Sequence, residues 1–297
     1  MTRLLAGFAA TLCLISGGAV ITSPEASALP VSGIVQPAGS VPVPDGPAEA
    51  WILADMDTGA VLAGRNENGH FAPASTIKIL LAMVVLDELP LDATIVANEA
   101  DTLVECNCAG VAPGITYTTR QLLEGLLLVS GNDAANTLAT MLGGREAAVT
   151  KMNAKAAMVG AYGTNAGSPS GIDGPGIDIW STPHDLAAIF RAAMAYPVFA
   201  QITAQPTAVF PTKTGNTVLV NQDELLHRYP GAFGGKTGYT DLARKTFVAG
   251  ASRNGRHLVV ALMYGLVKEG GPTYWDQAAA LLDWGFALGP NPGISRL

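Results

Sequence analysis

Residues 235–264 have the sequence GKTGYTDLARKTFVAGASRNGRHLVVALMY, and this stretch decides the fold. It contains three short runs with strand-like composition, at 236–239, 246–251 and 257–264. Such runs predict β-strands, and Asn254-Gly255 between the last two is a strong signal for a tight hairpin turn. The stretch therefore predicts consecutive antiparallel strands of one sheet.

The segments that precede this stretch complete the outline of the fold. Near the start, residues 50–54 and 60–63 predict two further strands around the turn Asp57-Thr58-Gly59. Apolar patterns in the middle predict helices at 76–89, 117–129, 133–142, 145–158 and 183–195, and one more helix, 275–288, follows the last strands. Strands at both ends, helices between them and a final helix predict a mixed α+β fold whose terminal strands share one sheet.

Composition and scattered histidines exclude several classes of function. The 297 residues include 14% charged ones, and the net charge of −7 is spread without long like-charge runs. A nucleic-acid partner or an anionic membrane surface requires clustered Lys and Arg, so neither is expected. The four histidines form no H-x-x-x-H pair and no G-x-S-x-G segment exists, which disfavours a zinc peptidase and a Ser-His-Asp hydrolase. No metal or cofactor is implied.

The N-terminus has the pattern of a secretory signal peptide over residues 1–28. Arg3 precedes an apolar run at 4–21, and Ala26-Ser27-Ala28 matches a signal peptidase site. An uncleaved membrane anchor is the alternative, because the apolar run approaches the length that spans a bilayer. The Pro- and Gly-rich residues 29–47 predict a linker, followed by a domain at 48–290 and a tail at 291–297. An extracytoplasmic location is expected.

Two cysteines, Cys106 and Cys108, remain after removal of such a signal. An oxidising compartment permits a disulfide between them, although so short a ring is strained. Two free thiols in a surface loop are equally compatible with the sequence.

The first chemical pattern is Ser75-Thr76-Ile77-Lys78. One helical turn separates the hydroxyl from the amine and places them on the same face. Burial without a nearby acid favours a neutral amine that can take the serine proton, and helix N-terminal N–H groups favour an oxyanion. S-x-x-K alone is weak evidence, because it occurs by chance in roughly every second or third chain of this length. Ser75 as an ordinary helix N-cap is the alternative.

The second pattern, Ser130-Gly131-Asn132, lies at a break between two apolar helices. A second hydroxyl at such a break can relay a proton, and a side-chain amide can hold a peptide group. Helix capping is the simpler interpretation of this triplet when it is taken alone.

The third pattern is Lys236-Thr237-Gly238, which begins the run of strands quoted above. A cation, a hydroxyl and a glycine on a sheet edge can bind a carboxylate while an extended substrate lies alongside. The same tripeptide occurs at Lys213-Thr214-Gly215, but there it stands between two short predicted strands just after Pro211. A hairpin turn is therefore the predicted role of the earlier copy.

These three patterns, in this order, resemble the S-x-x-K, S-x-N and K-T-G motifs of penicillin-recognising serine enzymes, and in particular of low-molecular-weight D-alanyl-D-alanine carboxypeptidases. The resemblance covers residues 48–288 and includes further blocks, at 57–59, 73–75, 126–135, 170–173, 181–186 and 235–240. It implies a β-lactamase/transpeptidase-like fold with a five-stranded antiparallel sheet flanked by helices. An all-helical region would lie beside the sheet, with the active site in the cleft between them.

The resemblance also implies roles for individual residues. Motif by motif, they are the nucleophile Ser75, its base Lys78, the proton relay Ser130, the substrate-positioning Asn132, and the carboxylate-binding Lys236, Thr237 and Gly238. The oxyanion hole would be formed by the backbone N–H groups of Ser75 and Tyr239. The implied substrates are peptidoglycan stem peptides ending in D-Ala-D-Ala, and β-lactams would be covalent inhibitors.

Departures from the family pattern leave other activities to weigh. Tyr239 stands where some relatives have His, and 268–271 contain no Arg where some relatives place one, which leaves the carboxylate partner beyond Lys236 and Thr237 open.

No E-x-x-L-N segment follows S-x-N, which disfavours a β-lactamase. A transpeptidase or endopeptidase would use the same residues with another acyl acceptor. A non-catalytic β-lactam sensor is disfavoured because no spanning segment follows the export signal. The β-rich domain and amphipathic anchor of several relatives are also missing, so no stable membrane anchor is predicted.

Overall fold

The order of helices and strands is given by a computed structural model that describes residues 33–105, 107–265, 270–289 and 293–297. In chain order the strands of this part are β1 Ala48–Asp55, β2 Ala60–Arg65, β3 Thr94–Val96, β4 Thr116–Thr118, β5 Thr207–Thr212, β6 Gly215–Val220, β7 Ala232–Thr240, β8 Arg244–Arg253, β9 Arg256–Gly265 and β10 Ser295–Arg296. The helices are α1 Lys78–Glu88, α2 Glu99–Thr102, α3 Thr119–Leu128, α4 Asn132–Met141, α5 Arg145–Met158, α6 Pro183–Ala193, α7 Pro197–Thr203, α8 Glu224–Arg228 and α9 Tyr274–Ala287.

A central antiparallel sheet joins the two ends of the chain in the order β10-β2-β1-β9-β8-β7. Ile52 of β1 lies opposite Ala261 of β9, which confirms that the terminal strands share one sheet. The α+β class is likewise confirmed. Among the described residues the sheet has six strands where five were expected, because the two residues of β10 pair with Val61 and Ala60 at the edge. Two residues carry too little alternation to indicate a strand in sequence.

Both faces of the sheet are covered, and β1 is accordingly apolar at nearly every position. Ala50, Ile52 and Ala54 belong to a large core with the helices α1, α3, α4 and α6. Trp51 and Leu53 point to the opposite face and pack in a second core with α9. Side chains alternate between the faces of a strand, so a strand buried on both sides needs an unbroken apolar sequence.

The β5–β6 hairpin contains the first copy of the K-T-G tripeptide. Thr212 pairs with Gly215, so Lys213 and Thr214 form the turn, as predicted. Within the described residues, no single helix combines the length and apolarity of a membrane span; α6 and α7 meet that test only together, across a bend of 110°. The predicted signal segment, residues 1–28, lies outside the described part of the chain.

Candidate active site

Ser75 lies on a 3-10 turn, Ala74–Ile77, that leads directly into α1. Ala74 just before it has a positive φ of 48°, a conformation that non-glycine residues rarely adopt. The turn is tied to the sheet, because the Thr246 hydroxyl on β8 donates to the carbonyl of Pro73 at 2.8 Å. Strain at this place is held by the surrounding structure, a common property of functional sites.

Lys78 is completely buried beneath Ser75. Its Nζ lies 2.7 Å from Ser75 Oγ, 2.7 Å from Asn132 Oδ1 and 2.5 Å from the carbonyl oxygen of Ser170. Burial, followed by the positive charge of Lys236, holds the pKa of Lys78 well below its usual value, while Asp133 acts in the opposite direction. The expectation of a base with no nearby acid is wrong in this respect, but burial outweighs Asp133 and the amine is still favoured in its neutral form.

The break between α3 and α4 presents Ser130 and Asn132 to the same place. Ser130 has a positive φ of 61°, and Asn132 is the first residue of α4. The Asn132 amide nitrogen donates to the carbonyl of Glu105 at 2.7 Å, which turns its oxygen toward Lys78. Asp133 accepts from the backbone N–H groups of residues 109, 110 and 111, so it holds the neighbouring loop against α4.

Lys236 reaches Ser130 from β7 on the other side. The buried ammonium donates to Ser130 Oγ at 2.8 Å and to the carbonyl oxygen of Thr237 at 2.7 Å. Burial lowers the pKa of Lys236 to about 7, and the negative charge of Asp223 opposes that shift. Each of the two serine hydroxyls is therefore paired with a buried lysine amine, Ser75 with Lys78 and Ser130 with Lys236.

Gly238 is required by the close approach of β7 to the 3-10 turn. A Cβ at this position would lie 2.3 Å from Thr246 Oγ1 and 2.9 Å from the backbone nitrogen of Ser75. Real Cβ atoms do not approach other atoms so closely, so only glycine lets the edge strand pass beside Ser75. The N–H of Ser75 and the backbone of β7 consequently border the same space.

That space is a cleft of about 450 Å³. The residues predicted for the site that line it are Ser75, Ser130, Asn132, Thr237, Gly238 and Tyr239, while Lys78 and Lys236 lie buried behind the two serines. Lys213 does not line it. The structure thus brings together all eight residues singled out in the sequence and separates them from the other K-T-G copy.

Sequence reasoning assigned no role to the backbone groups that orient these side chains. The carbonyls of Ser170 and Glu105 have no signature by residue type, although Ser170 begins one of the blocks that carried the family resemblance. Asp223 was also missed. It lies in a short connection between β6 and β7 and has no motif of its own.

Cys108 takes part in a disulfide. The alternative of two free thiols is therefore wrong for Cys108, while Cys106 lies outside the described residues. In the part of the chain that the structure describes, no group of three His, Cys, Asp or Glu side chains is arranged to hold a metal ion.

Comparison with known proteins agrees with the geometry of the site. Over residues 38–265 the chain matches the Peptidase S11 family, described as D-alanyl-D-alanine carboxypeptidase. It is 69% identical over 263 residues to the D-alanyl-D-alanine carboxypeptidase DacB2 of Mycobacterium tuberculosis, covering 89% of this chain and 90% of the relative. A D-alanyl-D-alanine carboxypeptidase of Streptomyces sp. strain K15 is 32% identical over 298 residues, covering 94% of this chain and 98% of that one.

Solved structures give the same result for the fold. A crystal structure of a D-alanyl-D-alanine carboxypeptidase from Mycobacterium tuberculosis H37Rv matches with a TM-score of 0.87 and 69% identity, over 89% of this chain and all of that chain. The Streptomyces K15 DD-transpeptidase matches with a TM-score of 0.76 and 30% identity, over 83% of this chain and all of that chain. The second match confirms the transpeptidase-like α+β fold that the resemblance implied.

Proposed function

Because this chain belongs to the Peptidase S11 family of D-alanyl-D-alanine carboxypeptidases and is a serine-type carboxypeptidase of that kind, we propose that its reaction proceeds through an acyl-enzyme on Ser75. The observation that carries the proposal is the hydrogen-bond geometry of Lys78. Its amine touches one hydroxyl and two oxygens that can only accept, Asn132 Oδ1 and the Ser170 carbonyl. Burial favours the neutral amine, whose two hydrogens serve those acceptors and whose lone pair is left for the Ser75 hydroxyl.

This arrangement makes Lys78 a general base in place before substrate arrives. Ser75 Oγ attacks the carbonyl carbon of the D-Ala-D-Ala peptide bond as its proton passes to Lys78 Nζ. The oxyanion is held by the backbone N–H groups of Ser75 and Tyr239, where negative charge develops in the transition state. Collapse of the tetrahedral species breaks the C–N bond and leaves the shortened peptide esterified to Ser75.

Ser130 and Lys236 act on the leaving side of the scissile bond. Ser130 Oγ relays a proton to the departing amine of D-Ala and regains one from Lys78, so the proton taken from Ser75 ends on the leaving group. Lys236 uses two of its hydrogens on Ser130 Oγ and the Thr237 carbonyl, and its third is available for the substrate's terminal carboxylate. Asn132 positions the peptide group, and the Thr237 hydroxyl adds to the carboxylate site at the edge of β7. Water then hydrolyses the ester.

The substrate class and location follow from the same chemistry. We infer that the substrates are peptidoglycan stem peptides ending in D-Ala-D-Ala, and that the enzyme acts outside the cytoplasm, where that polymer lies. The signal-like residues 1–28 support this location. β-Lactams would acylate Ser75 by the same attack, because their strained amide occupies the position of the scissile bond.

The test is release of D-Ala from a stem pentapeptide by the purified protein, with Ser75→Ala beside it. Wild type should release D-Ala and bind a fluorescent penicillin covalently, and Ser75→Ala should do neither. Ser252→Ala, on β8 and outside the cleft lining, serves as the control and should behave as wild type. Covalent labelling of Ser75→Ala would disprove the nucleophile assignment. Labelling of wild type without D-Ala release, unless an amine acceptor is added, would favour a transpeptidase; labelling without turnover under either condition would favour a sensor.

A further inference from the structure

Asp223 is a buried carboxylate behind the active-site strand that the reaction described above does not use. Only 2% of its surface is exposed. One oxygen, Oδ1, caps α8 by accepting from the backbone N–H groups of Leu225 and Leu226 at 2.9 and 3.3 Å. The other oxygen, Oδ2, is buried and has no hydrogen-bond partner among the described residues.

Helix capping does not account for this second oxygen. α8 has five residues, and its cap uses Oδ1 alone. Asn and Ser cap helices as well as Asp does, and neither would bury a carboxylate oxygen without a partner. A buried, unpaired oxygen of a charged group is costly, so its presence points to a use other than capping.

The free oxygen lies against the strand that carries Lys236. A Cβ on Gly235 would stand 2.8 Å from Asp223 Oδ2, so the carboxylate abuts β7 at the residue before Lys236. Lys236 is itself 99% buried, and water screens little of the interaction between two charges in such surroundings. The two groups act on each other through space across the strand.

We propose that Asp223 is a positioning residue of the reaction, whose buried carboxylate keeps Lys236 protonated and so able to hold Ser130 and the substrate's terminal carboxylate. The inference rests on the role proposed for Lys236. Three buried titratable groups then influence one another electrostatically. The acid favours the charged form of Lys236, and that charge favours the neutral form of Lys78.

Among the described residues, titratable groups face these three side chains from several elements. His227 of α8 and Tyr274 of α9 face Asp223, Lys78 and Asp223 face Lys236, and Asp133 of α4 faces Lys78. Burial raises the pKa of Asp223 to about 6, against the opposing effects of its two N–H donors and of His227 and Lys236. Asp223 is therefore ionised at pH 7 and loses its charge, and with it its effect on Lys236, as the pH falls below about 6.

The experiment is the pH dependence of acylation by a fluorescent penicillin, from pH 5 to 9, in wild type, Asp223→Asn and Asp223→Ser. Both substitutions keep a capping oxygen and remove the charge. Without the acid, the alkaline limb set by Lys236 should move down by about one pH unit, which lowers the rate at pH 7 about fivefold. Near pH 5 all three proteins should converge. Asp276→Asn, an exposed acid in the first turn of α9, is the control and should leave the profile unchanged.

Two outcomes separate this inference from the function it rests on. If Lys236→Ala impairs acylation but the Asp223 variants keep the wild-type limb, or slow the reaction equally at every pH, Asp223 is only a structural cap and the inference fails. If Lys236→Ala acylates as fast as wild type, the proposed role of Lys236 fails first. Thermal melts of each variant report whether it folds, and Asp223→Ser gives a second chance should Asp223→Asn not do so.

Discussion

The free energy of unfolding of Lys236→Met should compare more favourably with that of wild type in acid than in alkali. Burial lowers the pKa of Lys236 from the ordinary 10.5 to about 7. Because a pKa difference of one corresponds to about 1.4 kcal/mol, the buried charge costs up to about 5 kcal/mol. The neutral, similarly shaped Met carries no such cost at any pH.

This pH dependence arises because the folded and the unfolded protein bind the Lys236 proton with different pKa values. The folded-state pKa is the lower one, so the folded protein binds fewer protons between pH 7 and pH 10.5, and wild-type stability rises through that window. Below pH 7 the cost is fully present. The advantage of Lys236→Met should therefore shrink by about 3 kcal/mol between pH 6 and pH 9. The lost hydrogen bonds to Ser130 and Thr237 lower the variant's stability at both pH values alike.

Urea unfolding of both proteins, followed by circular dichroism at pH 6 and pH 9, measures how the stability difference between Lys236→Met and wild type changes with pH. Lys213→Met is the matched control, since it makes the same change in the other K-T-G tripeptide, where the side chain is exposed in a hairpin turn. It should give no pH-dependent difference and should keep full acylation. A Lys236→Met advantage that stays constant with pH would refute the claim that the ammonium is desolvated in the folded protein.

Two other substitutions probe the cleft directly. Lys78→Met should slow penicillin acylation by about 10²–10⁴-fold, the range for loss of a general base, and stopped-flow kinetics equal to wild type would contradict that role. Gly238→Ala should lower acylation by about 10²–10³-fold, the range for loss of one oxyanion donor, because its Cβ would meet the Ser75 nitrogen at 2.9 Å. Gly33→Ala, with open space around it, is the control, and equal rates in the two glycine variants would show that β7 yields without moving Ser75.

The sequence predicted the main helices and strands because their apolar patterns are long. The turn at Lys213 was also predicted, since Pro211 and two flanking runs mark it locally. The short elements α2, α7, α8, β3 and β4 were missed, because three to seven residues cannot show a period. Their positions are fixed by tertiary contacts.

The motif side chains of the site could be predicted from the sequence, but the groups that surround and orient them could not. Ser75, Lys78, Ser130 and Lys236 belong to motifs in which residue type and spacing carry the chemistry. The Ser170 carbonyl that orients Lys78 is a backbone group, and any residue supplies one. Asp223 acts through burial and charge rather than through a motif, so only its three-dimensional surroundings set it apart from an ordinary helix cap.

The pairing of β1 with β9 has a consequence for how this protein folds. The central strand pair joins segments roughly 200 residues apart, so the entropy of closing a loop of about two thirds of the chain is lost before its contacts form. Such non-local topology predicts slow folding and populated intermediates. A nascent chain that ends before residue 256 has no partner for the inner edge of β1. Ser75, although it comes early in the chain, therefore acquires its surroundings only once β7, β8 and β9 have been synthesised.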